Sequence, residues 1–274
     1  PGTVATDADP GDSAPFALDL AEFIVGVRLI PALGRTFSGP GRGGDLHDHD
    51  EWLETCFVRS AGLLDVNRLR RMWGKLRDLP RGDAADVMNH GDLMPANVLV
   101  SGDRRRLAGV LDVGGLRAAD PSLDLVSAWH LLEAGPRKAL REALGSDDLE
   151  WARGKAWAFQ QSMGLVWYYA ESNPVMAGLG RRTLDRLIAD ERPLPAPGLP
   201  SAPLLPTGGV VHQGRQASDS FPASVKSASV KPRLAGRQPS FRGGVPRVKT
   251  RPDPSGDGQA RTRDRVPRSA GGAL

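Results

Sequence analysis

Asp92, Asn97 and Asp112 are the residues whose types and spacing could do chemistry in this chain. The first two lie in HGDLMPANVLV (90–100), and the third lies in GVLDVGG (109–115). Moving a phosphoryl group from ATP to a hydroxyl asks little covalent help of a protein. It requires the hydroxyl held in line with the γ-phosphate and the developing charge neutralised by metal. Asp92 is the carboxylate that could accept or orient the hydroxyl proton. Asn97 and Asp112 offer the hard oxygen ligands that Mg²⁺ prefers. Gly114, two residues on, predicts a tight backbone turn beneath the metal. The plain alternative is a polar hairpin in which these groups cap turns.

The elements that must position these residues can be read from periodicity and caps. Val87-Met88, 97–100 and 107–111 are short apolar strands, and Ser101-Gly102-Asp103 turns the last two into a hairpin. Asp92 and Asn97 then lie on the loop feeding that hairpin, and Asp112 leaves its second strand. Helices are predicted on both sides. Phe16, Leu20, Phe23, Ile24 and Val27 mark one over 16–30, with Pro31 ending it. Asp50 caps a helix over 51–63, and Asp65 caps another through Leu79. Asp120-Pro121 opens a helix to about Glu133. Further helices are expected over 136–144, 148–172 and 174–190.

Composition divides the chain. Of its 274 residues, 33 are Gly and 23 are Pro, and the hydrophobic fraction is 40%. From Pro193 onward periodicity vanishes, with 13 Lys/Arg against 4 Asp, so this stretch carries the basic charge while the rest of the chain is net acidic. Too few large apolar side chains are present there to offset ordering entropy, which predicts a disordered tail over 193–274. Its cationic charge fits nonspecific phosphate contact only. With just Phe221 and Phe241 as aromatics, base stacking is poorly supported, which argues against a nucleic-acid partner. The expected organisation is a linker over 1–14, a folded region over 15–192 and the tail. No apolar run approaches the roughly 18 residues a membrane span needs. Residues 1–14 lack the form of a signal peptide, and the single cysteine, Cys56, fits a reducing cytoplasm as a buried thiol.

Weaker candidates have plainer explanations. His47-Asp48-His49-Asp50 resembles a metal cluster, but in a Gly-rich loop it reads as solvated and capping the next helix. His90 holds a position suited to shaping its loop, and His130 reads as packed in an apolar helix. The Trp and Tyr residues between 151 and 169 are mostly core, with exposed members free to line an acceptor pocket. Glu150, Glu171, Asp185, Asp190 and Glu191 are ordinary helix charges, unless they attract a cationic acceptor.

Together, HGDLMPANVLV, GVLDVGG and DPSLDLVSAW (120–129) resemble the aminoglycoside phosphotransferase and related small-molecule kinase family, over about residues 15–192. The resemblance implies an α+β, protein-kinase-like fold, here its mainly helical C-terminal lobe with a short β-hairpin carrying the catalytic loop. It implies Asp92 as the catalytic aspartate, Asn97 and Asp112 as ligands of Mg²⁺ beside ATP, and Asp124 bracing the loop, with His90 in support. Met94 and Val113 stand where the family often has histidine and phenylalanine. Such kinases grip ATP with a glycine-rich lid and a strand lysine in an N-terminal lobe. No room precedes Phe16 for that lobe, and the first lysine, Lys75, falls on a helix. The expectation is a chain of weak or no ATP turnover by itself, with a separately encoded N-terminal lobe as a conceivable partner. The acceptor would be a small-molecule hydroxyl, aminoglycoside-like or a related metabolite. The alternative is a catalytically silent binding module.

Overall fold

A computed structural model describes residues 2–191 apart from positions 7 and 40. The tail expected over 193–274 lies outside the described residues.

Helices dominate the described chain. Helix α1 (Ala14–Arg28) starts where the Ser13 hydroxyl accepts from the Phe16 N–H at 3.2 Å, and it buries Phe16, Leu20, Ile24 and Val27 along one face. Next come α2 (Asp50–Arg59) and α3 (Val66–Leu76). The expected cap at Asp65 is present, accepting from Arg68 N–H at 3.0 Å. Asp50 does not cap: it is the first residue of α2, and its carboxylate accepts from the Trp73 indole at 2.8 Å. The expected continuation of α2 to residue 63 also fails, because Ser60-Ala61-Gly62 leaves the helix, with Gly62 at φ +81°.

Five short strands follow the hydrogen-bonding logic of two small sheets. β2 (Val87–Asn89) pairs antiparallel with β5 (Arg117–Ala119). β3 (Val98–Val100) and β4 (Leu107–Val110) form the expected hairpin. Residues 1–14 are not all linker. Thr3–Val4 form β1, which pairs antiparallel with β3, and Ala5 N–H donates to Val98 O at 2.8 Å. Gly2 allows this approach, since a Cβ there would lie 2.8 Å from the Ala108 side chain.

The loop that feeds the hairpin is backed by the C-terminal helices, with Met94 packed against Leu165, Met176 and Leu179. A 3-10 turn (Pro121–Leu125) precedes α4 (Val126–Leu131), so only the end of the helix expected after Asp120 is α-helical. Then come α5 (Ala134–Leu144), α6 (Asp148–Tyr168) and α7 (Pro174–Ala189). α6 is buried on all sides from Ala152 to Val166, so it is the axis of this part of the fold. Glycines permit its neighbours' approach. A Cβ on Gly154 would meet Leu125 Cβ at 2.5 Å, and one on Gly180 of α7 would meet Leu165 Cβ at 2.9 Å. The core runs from Phe16 and Leu53 through Trp129 to Trp157 and Phe159.

Cys56 is wholly buried in that core, and burial pushes its thiol up to about 12. Native chain will therefore resist iodoacetamide at pH 8, and labelling will appear, by mass spectrometry, only on unfolding. Rapid labelling of folded protein would contradict the packing described.

Candidate active site

The loop between β2 and β3 is shaped from beneath by Asp124. Its carboxylate, fully buried, accepts from the backbone N–H of His90 (2.8 Å) and of Gly91 (2.7 Å). Gly91 at φ +79° turns both amides toward one acceptor, a geometry an L side chain resists. Burial raises the Asp124 pKa, while the two amides and the nearby Arg28 pull it back. The His90 ring ties the loop to the hairpin: Nε2 lies 2.8 Å from Leu111 O, and Nδ1 accepts from Asp92 N–H at 3.3 Å. A ring that donates through Nε2 and accepts through Nδ1 is the neutral tautomer, suited to holding shape.

Asp92 stands at the head of this loop with its side chain 41% exposed. Asn97, at the end of a 3-10 turn (Pro95–Asn97), donates through Nδ2 to Asp92 O (2.9 Å) and Oδ2 (3.0 Å). That commits the amide nitrogen and leaves Asn97 Oδ1 as the atom for a cation. Asp92 Oδ1 accepts from Gln161 Nε2 at 3.0 Å and from Arg42 Nη2 at 3.3 Å. Arg42 also donates to Gly91 O at 3.1 Å. Burial lowers the Arg42 pKa, opposed by the neighbouring Asp92 charge.

Asp112 leaves β4 with φ 58° and ψ 39° and is exposed. The tight turn expected at Gly114 is made by Asp112 itself, whose left-handed backbone costs roughly 1 kcal/mol for a residue with a Cβ. Aspartate tolerates this region better than most residues. The strain brings its carboxylate to the same cleft as the loop.

That cleft, about 840 Å³, brings together Asp92, Asn97, Asp112 and His90. Asp124 lies behind the loop as its brace. Arg42, Arg117, Gln160, Gln161, Trp52 and Tyr169 also line the cleft. Sequence reasoning missed Arg42 and the glutamines. Arg42 sits in an aperiodic loop, and Gln160-Gln161 sit in a helix that reads as core. Tyr169 was legible only as one aromatic among several. Asn97 Oδ1 and the Asp112 carboxylate are hard oxygen donors, one neutral and one anionic, of the kind that suits Mg²⁺. Among the described residues, no group of three or more His, Cys, Asp or Glu is placed to hold a metal.

The chain matches the family model described as the phosphotransferase enzyme family over residues 1–157. The chain belongs to this family. Among solved structures, this phosphotransferase is similar to the GDP complex of aminoglycoside 2'-phosphotransferase-IIIa, at 18% identity over 69% of this chain and 68% of that one, with TM-score 0.47. It is similar to macrolide 2'-phosphotransferase MphH from Brachybacterium faecium, at 18% identity over 68% and 67%, with TM-score 0.41. It is also similar to choline kinase LicA from Streptococcus pneumoniae, at 12% identity over 64% of each chain, with TM-score 0.42. No curated protein matches it.

Other sequence candidates fall elsewhere. His47 bridges Asp45 (3.0 Å) and Asp78 (3.2 Å), which raises its pKa through those carboxylates. His49 is not solvated as expected. It is buried edge-on against Trp157, because the 3-10 turn His47–His49 rotates it inward, and Gln160 Nε2 lies 3.3 Å from its Nδ1. Glu150 is held by Arg28 at 2.6 Å and Glu191 by Arg68 at 2.7 Å. Neither they nor Glu171, Asp185 and Asp190 line the cleft. No described helix is long and apolar enough to cross a membrane.

His130 is buried, with Nδ1 2.9 Å from Thr183 Oγ1 and Nε2 3.2 Å from Gln161 Oε1. Burial depresses its pKa to about 4, despite the Gln161 hydrogen bond. Below pH 6.5 the unfolded chain takes up a proton that the folded chain refuses. Stability is then fully present above about pH 6.5 and is lost as pH falls toward 4, by about 3 kcal/mol in total. Urea melts across that window should show the loss, and His130→Gln should remove this share of it.

Proposed function

We propose that this phosphotransferase transfers the γ-phosphoryl group of ATP to a hydroxyl of a small molecule. The observation that carries the reading is the meeting of Asp92, Asn97 and Asp112 at one cleft, with Asp124 fixing the loop beneath. Asp92 is the base. Its Oδ1 is taken by Gln161 and Arg42, and its Oδ2 receives one donor, from Asn97, leaving a lone pair for the acceptor. The acceptor's O–H proton passes to Asp92 as its oxygen bonds to the γ-phosphorus and ADP leaves. Asn97 and Asp112 would hold Mg²⁺, whose charge offsets that developing on the transferred group. His90 and Asp124 keep the loop in shape.

The acceptor side of the cleft carries Trp52, Met94, Leu165, Tyr169 and Met176, and the described cleft residues hold two carboxylates against two guanidinium groups. This lining suits a hydroxyl compound with an apolar face and few positive charges better than a polycation. Within the expectation of an aminoglycoside-like antibiotic or related metabolite, it favours the metabolite. A silent binding module is the second reading. It is favoured by the described lysines, Lys75, Lys138 and Lys155, all of which lie in helices.

Acceptor-dependent ADP formation in Mg²⁺, screened over hydroxyl compounds of differing charge, tests the first reading. ADP should form with acceptor and not without it. Acceptor binding with no ADP at any enzyme concentration would favour the second.

A further inference from the structure

Gln161 reaches Asp92 from the middle of α6, where a side-chain amide is otherwise free to turn over. Asp92, as a carboxylate, accepts only, so the Gln161 atom at 3.0 Å from Oδ1 must be the amide nitrogen. Were the amide reversed, two oxygens would face each other and Asp92 would lose a donor. What prevents reversal lies on the far side. His130, from α4, meets Gln161 Oε1 through Nε2 at 3.2 Å, and Thr183, from α7, meets His130 Nδ1 at 2.9 Å. Since Oε1 can only accept, Nε2 must carry the ring proton. The other nitrogen of a neutral ring then accepts, and the Thr183 hydroxyl donates to it.

The directions are therefore determined end to end: Thr183 O–H to His130 Nδ1, His130 Nε2–H to Gln161 Oε1, and Gln161 Nε2–H to Asp92 Oδ1. His130 and Thr183 are buried and lie outside the cleft lining, whereas Gln161 and Asp92 both line it. A packing role alone would not need three polar side chains from three helices to be satisfied in sequence within the interior.

We propose that Thr183, His130 and Gln161 are positioning residues that lock one orientation of the Gln161 amide and so hold the Asp92 carboxylate with Oδ2 turned to the acceptor. This rests on the reading of Asp92 as the base. The connection itself can be tested without turnover.

The test is the ¹H–¹⁵N side-chain spectrum of the labelled full chain. The His130 ring should show its proton on Nε2. Asp92→Asn, which touches neither His130 nor Thr183, should shift that Nε2 resonance, and the shift should vanish when Asp92→Asn is made in a Gln161→Leu background. If Gln161→Leu does not fold, Thr183→Val is the replacement. It should shift the Gln161 amide resonance by disturbing the far end of the chain. A ring proton on Nδ1, a His130 resonance indifferent to Asp92→Asn, a response that survives Gln161→Leu, or a Gln161 amide unmoved by Thr183→Val would each overturn the proposal. Failure of phosphotransfer in the wild-type chain would instead count against the base role alone.

Discussion

Asp92→Asn lowers phosphotransfer by about 10²–10⁴-fold, the usual worth of a positioned general base. The amide that replaces the carboxylate keeps its size but cannot take up the hydroxyl proton. It also mismatches its surroundings. Gln161 and Arg42 donate to Oδ1 and Asn97 donates to Oδ2, so whichever way the new amide sits, its NH₂ faces a donor. Because the Asp92 side chain is 41% exposed, the mismatch can relax into solvent and stability should change by no more than about 1 kcal/mol. The initial rate of acceptor-dependent ADP release, compared between variants with matched urea midpoints, checks this. A rate within a few-fold of wild type would remove Asp92 from the chemistry.

The largest expected loss of stability lies below the site. Arg153→Ala should cost about 3–5 kcal/mol, the penalty for stranding one partner of a buried ion pair. Arg153 Nε and Nη2 both donate to Asp120 Oδ2, at 2.8 and 2.6 Å, and the two side chains are 4% and 2% exposed. The same guanidinium donates to Leu79 O and Pro80 O, so truncation orphans carbonyls as well. Trp157 and Ser122 continue to donate to Asp120, and Arg81, at 3.7 Å, is the remaining cation, which keeps the cost within that range. The consequence reaches the active site, because Asp120 caps the 3-10 turn that carries Asp124. Arg153→Lys should rescue little, since one ammonium cannot both place two donors on Asp120 Oδ2 and reach the Leu79 and Pro80 carbonyls. Urea denaturation followed by tryptophan fluorescence measures both variants. A change under 1 kcal/mol for Arg153→Ala would contradict the network described.

What could be read in advance was local. The loop at 90–97 and the Asp112 strand end announce themselves because their chemistry and their turn signals lie within a few residues of each other. The helix following its Asp65 cap was legible for the same reason, and the one expected over 16–30 was legible from its apolar periodicity, although its Ser13 cap was not. What escaped is made by distance. Gln161 touches Asp92 across 69 positions, and His130 meets Thr183 across 53. In a helix buried on every side, polar residues carry no periodic mark that separates a functional amide from a satisfied core one. β1 and β5 escaped for another reason. Two- and three-residue strands are too short to show alternation, and exist only because β3 and β2 offer them hydrogen bonds. The Asp112 turn was misplaced onto Gly114 because glycine is the commoner residue at positive φ.

The central claim is that Asp92 directs the γ-phosphoryl group of ATP onto a small-molecule hydroxyl. Following the reaction by ³¹P NMR, with ATP, Mg²⁺ and a responsive acceptor, tests it most directly. The account predicts a new phosphomonoester resonance, coupled to the acceptor's carbinol proton, that grows in step with ADP and is absent with Asp92→Asn. Inorganic phosphate in place of the ester, or an ester formed equally well by Asp92→Asn, would contradict it.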